Sequence, residues 1–411
     1  MTVSPATEVA ALLTLQVSNG AVPPLSTREW AQLERWLSER NRSPEDLLTS
    51  SVTTLMDAHG SPDIPLDRVF PLLERHDALH KMIMDWREQA GIQLVGRHDT
   101  GYPKRLRDRL GADAPPLLFM AGREDLLLND GIAIVGSRHA SPHDLSAARR
   151  YGAEASQQGV NVVSGGARGV DSEATAGALE ASGTAICVLG DGVIRTMRIP
   201  EVQEQIERGN LLLLTPFAPD ARFSVGNAMA RNKLIYCLAN AAMVVASQVG
   251  RGGTYAGARE ALRAGWVPVG LLPSIQPGSG FPALMEQGGI ALTGSPVADL
   301  EHLLAISHRP DPDAAPLIAP HSVEAIAQVT SPAAEPPIEG APLASVTPVE
   351  PLPGLIEEFV RYWRHAHVDP ISADDLATLL NLQRSQVQAW LKTLVAAGRV
   401  TKKKARYTLI D

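Results

Sequence analysis

Cysteine and aromatic residues are scarce in this chain of 411 residues. It contains two cysteines, Cys187 and Cys237, and aromatic side chains make up 4% of the sequence. Both cysteines lie inside apolar segments, and a separation of 50 residues matches no metal or redox motif. We therefore expect two buried small hydrophobic side chains rather than a disulfide framework.

Long hydrophobic runs are also missing. Apolar runs such as LLLL at 211–214 and AAMVVA at 241–246 are far shorter than the roughly 20 residues that a membrane-spanning helix needs. The N-terminus lacks the charged start and small-residue cleavage site of an export signal, which predicts a cytoplasmic protein with no membrane partner. The net charge of −8 argues against a global field that attracts nucleic acid, so an anion site must be local.

Several familiar motifs are absent. No GxGxxG follows the first strand-like run of the central region and no Walker A motif occurs, so neither NAD nor a P-loop nucleotide is predicted as a cofactor. His76 and His80 are four residues apart, as two metal ligands on a helix would be, but no third ligand accompanies them. We interpret this pair as part of a solvated helix face and predict no metal site.

The composition divides the chain into four parts. Residues 309–354 hold 11 of the 31 prolines and no periodic apolar pattern, which predicts a disordered linker rich in proline and alanine. Before it, residues 1–90 show helical patterns, with start signals at Ser26 and at Ser43, and predict a small helical domain. Residues 91–308 form the central domain with its entry segment, and residues 355–411 form a C-terminal domain.

The central region alternates strand-like and helical segments. Apolar runs are found at 132–136, 160–165, 184–190, 211–217, 241–247 and 266–272, and helical patterns at 142–158, 170–182, 201–209, 227–240 and 254–265. Strands that are apolar on both faces and alternate with helices are typical of a parallel sheet covered on both sides. The sequence therefore predicts an α/β fold, a Rossmann-like doubly wound parallel sheet.

The C-terminal part shows three helical patterns followed by RVTKKKARYTLI, which predicts a β-hairpin. Apolar stripes are supplied by Leu376, Leu379 and Leu380 and by Val387, Leu391 and Leu394. Three helices and a hairpin are typical of a winged helix, whose tip lysines, Lys402, Lys403 and Lys404, could contact DNA. A dimerisation or protein-docking module fits this pattern equally well.

Glycine-rich turns with cations follow three of the predicted strands. Such turns let the backbone approach a ligand, the N–H groups of the next helix favour an anion, and arginine adds a planar cation. Because these turns share the carboxyl edge of the sheet, we expect a phosphate-binding site there. Its candidate residues are Gly136, Ser137, Arg138, Ser164, Gly165, Gly166, Arg168, Gly169, Arg231, Asn232, Lys233, Gly252, Gly253 and Thr254. Tyr255 is the aromatic residue best placed to stack on a base.

The same motifs resemble the DNA-processing protein A (DprA/Smf) family. The resemblance rests on YPKRLRDRL (102–110), PPLLFMAGREDLL (115–127), GSR after the first strand, SGGARGVD after the second, ARNK and the GGT loop. It implies a cytoplasmic homodimer that binds single-stranded DNA and hands it to the recombinase RecA in natural transformation. It also implies a sterile-alpha-motif-like N-terminal domain and a role for Asp171 in orienting the turn through backbone N–H groups.

Some positions depart from the pattern of that family. Ile199-Pro200 stands where tyrosine-proline is usual, and Thr215-Pro216 where serine-glutamate is usual, which is compatible with a divergent paralogue. The alternative function is a nucleotide-sensing or nucleotide-hydrolysing Rossmann-like protein in phage defence or regulation. Hydrolysis is disfavoured because the RGGT loop is not followed by glutamate at the spacing of the related phosphoribohydrolases, so we predict a protein that is not an enzyme.

Overall fold

A computed structural model gives the structure of the chain. It describes residues 3–17, 22–49, 66–250, 252–274 and 278–308, and the short stretches 371–372, 387, 391–392, 394–395, 400–403 and 406–409. The chain forms two compact units, Met1–Leu317 and Ile318–Asp411. The predicted linker at 309–354 lies outside the described residues.

The described residues before position 91 form the helices α1 (Pro5–Thr14), α2 (Thr27–Ser38), α3 (Asp46–Thr49), α4 (Leu66–Leu73) and α5 (His76–Ala90). The start signal at Ser26 is confirmed, because its side chain caps α2 in a capping box with Glu29. Helix α1 was not predicted from the sequence. The N-terminal end of α1 is bound to a loop that contains Asp99. The hydroxyls of Ser4 and Thr7 donate to the Asp99 carboxylate at 2.5 and 2.7 Å.

An antiparallel entry segment leads into the central sheet. It consists of β1 (Gln93–Gly96), α6 (Lys104–Leu110), β2 (Leu117–Gly122) and two 3-10 turns at Gly111–Asp113 and Glu124–Leu128. Trp86 of α5 packs edge-on against Phe119 of β2, with ring centroids 5.4 Å apart. The core of the N-terminal helices is therefore continuous with one face of the sheet. The boundary near residue 90 stays a prediction.

The alternation predicted for the central region is confirmed. Its elements are β3 (Gly131–Gly136), α7 (Pro142–Gln157), β4 (Asn161–Ser164), α8 (Val170–Glu180), β5 (Ala185–Val188), α9 (Val193–Met197), α10 (Pro200–Glu207), β6 (Leu211–Thr215), α11 (Val225–Leu238), β7 (Ala241–Ala246), α12 (Gly252–Ala264), β8 (Val269–Leu271), α13 (Phe281–Met285), β9 (Ile290–Ala291) and α14 (Pro296–Ser307).

These strands form one sheet of order β1-β2-β6-β5-β4-β3-β7-β8-β9. The pairs from β6 through β9 are parallel, and the pairs of β2 with β1 and with β6 are antiparallel. Alternate residues of each central strand enter two different cores, as Ile134 and Val135 of β3 do. Apolar burial on both faces is what a doubly wound sheet requires. Cys187 and Cys237 are buried as expected, one in each core.

The second unit contains a three-stranded antiparallel sheet. Its strands are β10 (Ile371–Ser372), β11 (Val400–Lys403) and β12 (Arg406–Leu409), in the order β10-β12-β11. The predicted hairpin is confirmed by the pairing of β11 with β12, in which Lys402 lies opposite Tyr407. Val387, Leu391 and Leu394 are buried, as their stripe predicts. The stripe at 376–380 and Lys404 lie outside the described residues, so the winged helix stays a prediction.

Candidate nucleic-acid interface

The order of strands reverses beside β3. Strands β4, β5 and β6 follow one another on one side of it, whereas β7 and β8 lie on the other side. The amide of Ser137, just after β3, donates to the carbonyl of Ala246 at the end of β7 at 2.9 Å. Ligands of open α/β sheets bind outside the carboxyl ends of the strands at such a reversal. The turns after β3, β4 and β7 therefore surround the candidate site.

The turns after β3 and β4 touch each other. Gly169 has a φ of 90°, and a Cβ atom there would lie 2.4 Å from the carbonyl oxygen of Ser137 and 2.8 Å from the Cα of Arg138. The amide of Val170 at the start of α8 donates to the same carbonyl at 3.4 Å. Only glycine combines this backbone conformation with so close an approach. The side-by-side placement that the sequence predicted is present in the structure.

The start of α12 joins these two turns. The hydroxyl of Thr254 donates to the carbonyl of Gly136 at 2.9 Å, and the side-chain amide of Asn232 donates to the carbonyl of Gly253 at 3.3 Å. Gly252, the first residue of α12, is exposed and has a φ of 72°. The turns after β3 and β4 and the start of α12 thus converge on one edge of the sheet. Their backbone N–H groups favour an anion there.

A buried carboxylate supports the turn after β4 from beneath. Asp171 accepts hydrogen bonds from the backbone N–H groups of Gly136, Gly165 and Ala167. Burial raises the pKa of Asp171 to about 6, although the charge of Arg231 and the backbone hydrogen bonds act in the opposite direction. This geometry fits the orienting role that the resemblance implied for Asp171.

The Arg231 guanidinium lies under the same turn. It is buried and donates to the carbonyl of Gly165 at 2.8 Å. A Cβ atom on Gly165 would lie 2.0 Å from its terminal nitrogen Nη1, so the turn passes directly over the arginine. Burial lowers the pKa of Arg231, and Asp171 acts against that effect. Arg231 therefore supports the turn from inside, whereas the sequence predicted a direct phosphate contact.

Among the described residues, Arg138 and Arg168 are the arginines that face solvent at the turns after β3 and β4. Arg138 follows β3 and Arg168 lies in the turn after β4, and both are exposed. Within the described part of the chain, neither side chain has a hydrogen-bond or ion-pair partner. The guanidinium of Arg138 lies 5.5 Å from the ring centroid of Phe223. Two exposed guanidinium groups on adjoining turns can bind phosphates of one ligand.

Two other predicted contacts point elsewhere. The buried hydroxyl of Ser164 donates to the carbonyl of Ile134 at 2.7 Å, so this hydrogen bond links β4 to β3. Lys233 comes two residues after Arg231, about 200° further around α11. Its ammonium lies 3.3 Å from the carbonyl of Asp113. The structure therefore does not bring Lys233 to the turns, because its charge faces a different side of the helix.

The aromatic residue at this edge is not the one that the sequence favoured. Tyr255 is partly buried, and its ring packs beside Gly280, where a Cβ atom would lie 2.9 Å from it. Phe223, in contrast, is 47% exposed and contacts Arg138. No local signal in the sequence singled out Phe223 as exposed, because an apolar residue directly before a helix cap commonly packs against the first turn of that helix.

Two further features concern metal ligands and membrane spans. Within the described ranges, no group of three or more His, Cys, Asp or Glu side chains could hold a metal ion. His76 and His80 are exposed, and Nδ1 of His76 lies 2.7 Å from the Glu8 carboxylate. None of the helices that the structure describes is long and apolar enough to span a membrane.

The fold and the site together define a Rossmann-like protein whose exposed edge is suited to an anionic ligand. Residues 93–289 match the family model of the DNA recombination-mediator protein A. The Smf protein of Escherichia coli strain K12 is 32% identical over 222 residues, which cover 53% of this chain and 58% of that protein. Residues 93–289, just under half of the chain, are therefore the part that matches the DNA-processing protein A (DprA/Smf) family.

Two comparisons with Streptococcus pneumoniae agree with this family. The DNA processing protein DprA of strain R6 is 28% identical over 211 residues, covering 51% of this chain and 70% of that protein. An X-ray structure of DprA from the same species aligns with a TM-score of 0.55 and 22% identity, over 72% of this chain and 98% of that one. The second comparison shows a shared fold. The matched region spans little more than half of the Escherichia coli relative.

Proposed function

We propose that this protein binds single-stranded DNA along the carboxyl edge of its central sheet. The observation that carries the proposal is the contact between the turns after β3 and β4, which places the exposed Arg138 and Arg168 on adjoining loops. Phosphates would bind to these guanidinium groups and to the N–H groups of the turns and of α12. The match of residues 93–289 to a family of DNA-processing proteins supports a nucleic-acid ligand over another anion.

The proposal extends to the role of the whole protein. We propose that it acts in the cytoplasm as a homodimer, without chemistry on the DNA, and hands single strands to the recombinase RecA in natural transformation. The family resemblance supports this role. The hairpin of β11 and β12 would belong to a winged helix, with Lys402, Lys403 and Lys404 near its tip.

Replacement of Arg168 by alanine tests the site. We expect Arg168→Ala to weaken binding of oligo-dT about tenfold or more, because a charged hydrogen bond to phosphate is lost. The slope of log K against log salt should fall by about 0.7, the value for one phosphate contact on a single strand. Fluorescence anisotropy over a salt series measures both quantities.

Arg263→Ala is the matched control, since Arg263 is also exposed but lies in the last turn of α12, away from the carboxyl edge. It should change affinity and slope little. Equal effects of the two substitutions would contradict the proposed site. A thermal-shift screen of nucleotides is run in parallel. Tight binding of a nucleotide without binding of oligo-dT would favour the nucleotide-sensing alternative.

A further inference from the structure

Three exposed apolar side chains border the candidate site. Phe223, Val225 and Met229 are 47%, 67% and 42% exposed, and we call them the apolar strip. Val225 and Met229 are four residues apart and share one face at the start of α11. Single exposed apolar residues are common on protein surfaces. Three within seven residues, beside the carboxyl edge of the sheet, indicate an interaction site.

The strip extends between the turns of the site. At one end, the guanidinium of Arg138 lies 5.5 Å from the ring centroid of Phe223. At the other end, the sulfur of Met229 lies 3.1 Å from where a Cβ atom on Gly253 would be, at the start of α12. The strip therefore adjoins the same turns that would bind phosphates.

Phe223 is held in place on both sides. The carbonyl of Ala221, two residues before it, accepts a hydrogen bond from the amide of Gly192 at 2.9 Å. Directly after it, Ser224 caps α11 by accepting a hydrogen bond from the amide of Asn227 at 3.0 Å. An exposed ring on a fixed backbone loses little conformational freedom on binding, which favours ligand contact.

The surrounding charge selects the occupant. Residues 221–232, ARFSVGNAMARN, contain no acidic residue. Arg222 is exposed and Arg138 lies over the ring, whereas Arg231 is buried. An aromatic ring next to exposed cations fits a ligand that is anionic and has flat apolar faces. Unpaired nucleobases on a phosphodiester chain meet that description, whereas the bases of a duplex are stacked inside it.

We propose that Phe223 is a base-stacking platform, on which an unpaired base packs while the flanking phosphates contact Arg138 and the turns. The inference rests on the proposed function, which concerns the phosphates, and adds a separate site for the base. It predicts that part of the affinity depends on the presence of bases. Stacking is sequence-tolerant, because every base has a π face.

The test compares two ligands of equal charge, oligo-dT and an oligonucleotide of the same length built from abasic spacers. We expect Phe223→Ala to weaken oligo-dT binding by about five- to 100-fold, the usual effect of losing one stacked base. The same substitution should change binding to the abasic ligand less than about twofold, and it should leave the salt slope unchanged. Phe223→Trp should retain binding of oligo-dT.

Phe70→Ala is the control, since Phe70 is the partly exposed phenylalanine of α4. It should have no effect on either ligand, and thermal unfolding confirms that the variants are folded. Unchanged binding of oligo-dT by Phe223→Ala, or an equal loss on both ligands, would overturn the inference. A change in oligomeric mass without a change in oligo-dT binding would also overturn it, by assigning the strip to contact between copies.

Failure of the underlying function looks different. In that case the wild-type protein would bind neither ligand, or would bind both without dependence on Arg168. Wild-type binding that depends on Arg168 but not on Phe223 would leave the proposed function standing and remove the stacking platform alone.

Discussion

Asp171 and Arg231 are single residues that support the turn after β4 from inside the protein. Both are buried, and both form hydrogen bonds to the backbone of the turn after β4. The sequence indicated that a cation and a carboxylate belong to this region. It did not indicate that the cation points inward, because residue type alone does not specify which face of α11 is covered.

Titration of Asp171 should be visible in stability. Its pKa of about 6 in the folded protein exceeds the ordinary value of 3.8, so the folded state binds more protons than the unfolded state between these values. The free energy of unfolding contributed by this group therefore falls as pH rises through that window and is constant above it. The total change is of the order of 3 kcal/mol, at about 1.4 kcal/mol per pKa unit.

The measurement is urea unfolding of the wild type and of Asp171→Asn from about pH 4 to 8. Asparagine does not titrate, so the difference between the two proteins isolates the group from other carboxylates. We expect the stability of the wild type relative to the variant to decrease from pH 4 to 6. A relative stability that increases with pH would mean that Arg231 outweighs burial and would contradict the assignment.

At the scale of elements, the site depends on how closely two turns approach. The turns after β3 and β4 meet at Gly169, where any side chain would overlap the backbone of Ser137 and Arg138. The helices α7 and α8 that follow these turns pack together, and a Cβ on Gly152 of α7 would lie 2.0 Å from the carbonyl of Ala174 in α8. Close packing of the two strand-to-helix units therefore brings the turns together.

Gly169→Ala should separate the turns. We expect a loss of about 2–4 kcal/mol of unfolding free energy, because an unfavourable φ and a steric overlap act together. Oligo-dT binding should weaken as well, since Arg138 and Arg168 would no longer lie on adjoining loops. Urea unfolding and fluorescence anisotropy measure the two effects.

Gly159→Ala is the matched control. Gly159 has a φ of 71°, but a Cβ atom there would meet nothing within 4 Å. It should cost about 1–2 kcal/mol from backbone strain alone and leave DNA binding intact. Similar results for both variants would show that contact between the turns is not important for the site.

For the whole molecule, every residue of the candidate site belongs to the first compact unit, Met1–Leu317. Deletion of residues 355–411 should therefore leave the affinity for oligo-dT within about threefold of the full chain and its salt slope unchanged. Anisotropy measurements on both proteins test this expectation. A tenfold loss, accompanied by a lower slope, would assign phosphate contacts to the lysine-containing hairpin.

The sequence predicted the repeating part of the fold well and its irregular parts poorly. The strands from β3 to β8 were found because each is an apolar run that is buried on both faces. In contrast, α1, β1 and β2 were not predicted as elements. They are stabilised by distant contacts, such as those of Ser4 and Thr7 with Asp99, which have no local pattern.

The sequence by itself determined the alternation of strands and helices, the glycine-rich turns at the strand ends and the family, because hydrophobic period and glycine spacing are local properties of the chain. Only the tertiary structure decided which cations reach solvent. Arg138 and Arg168 are exposed, Arg231 is buried and Lys233 lies on another side of α11, since these outcomes depend on which face of each element its neighbours cover. For the same reason, Phe223 rather than Tyr255 is the exposed ring at the site.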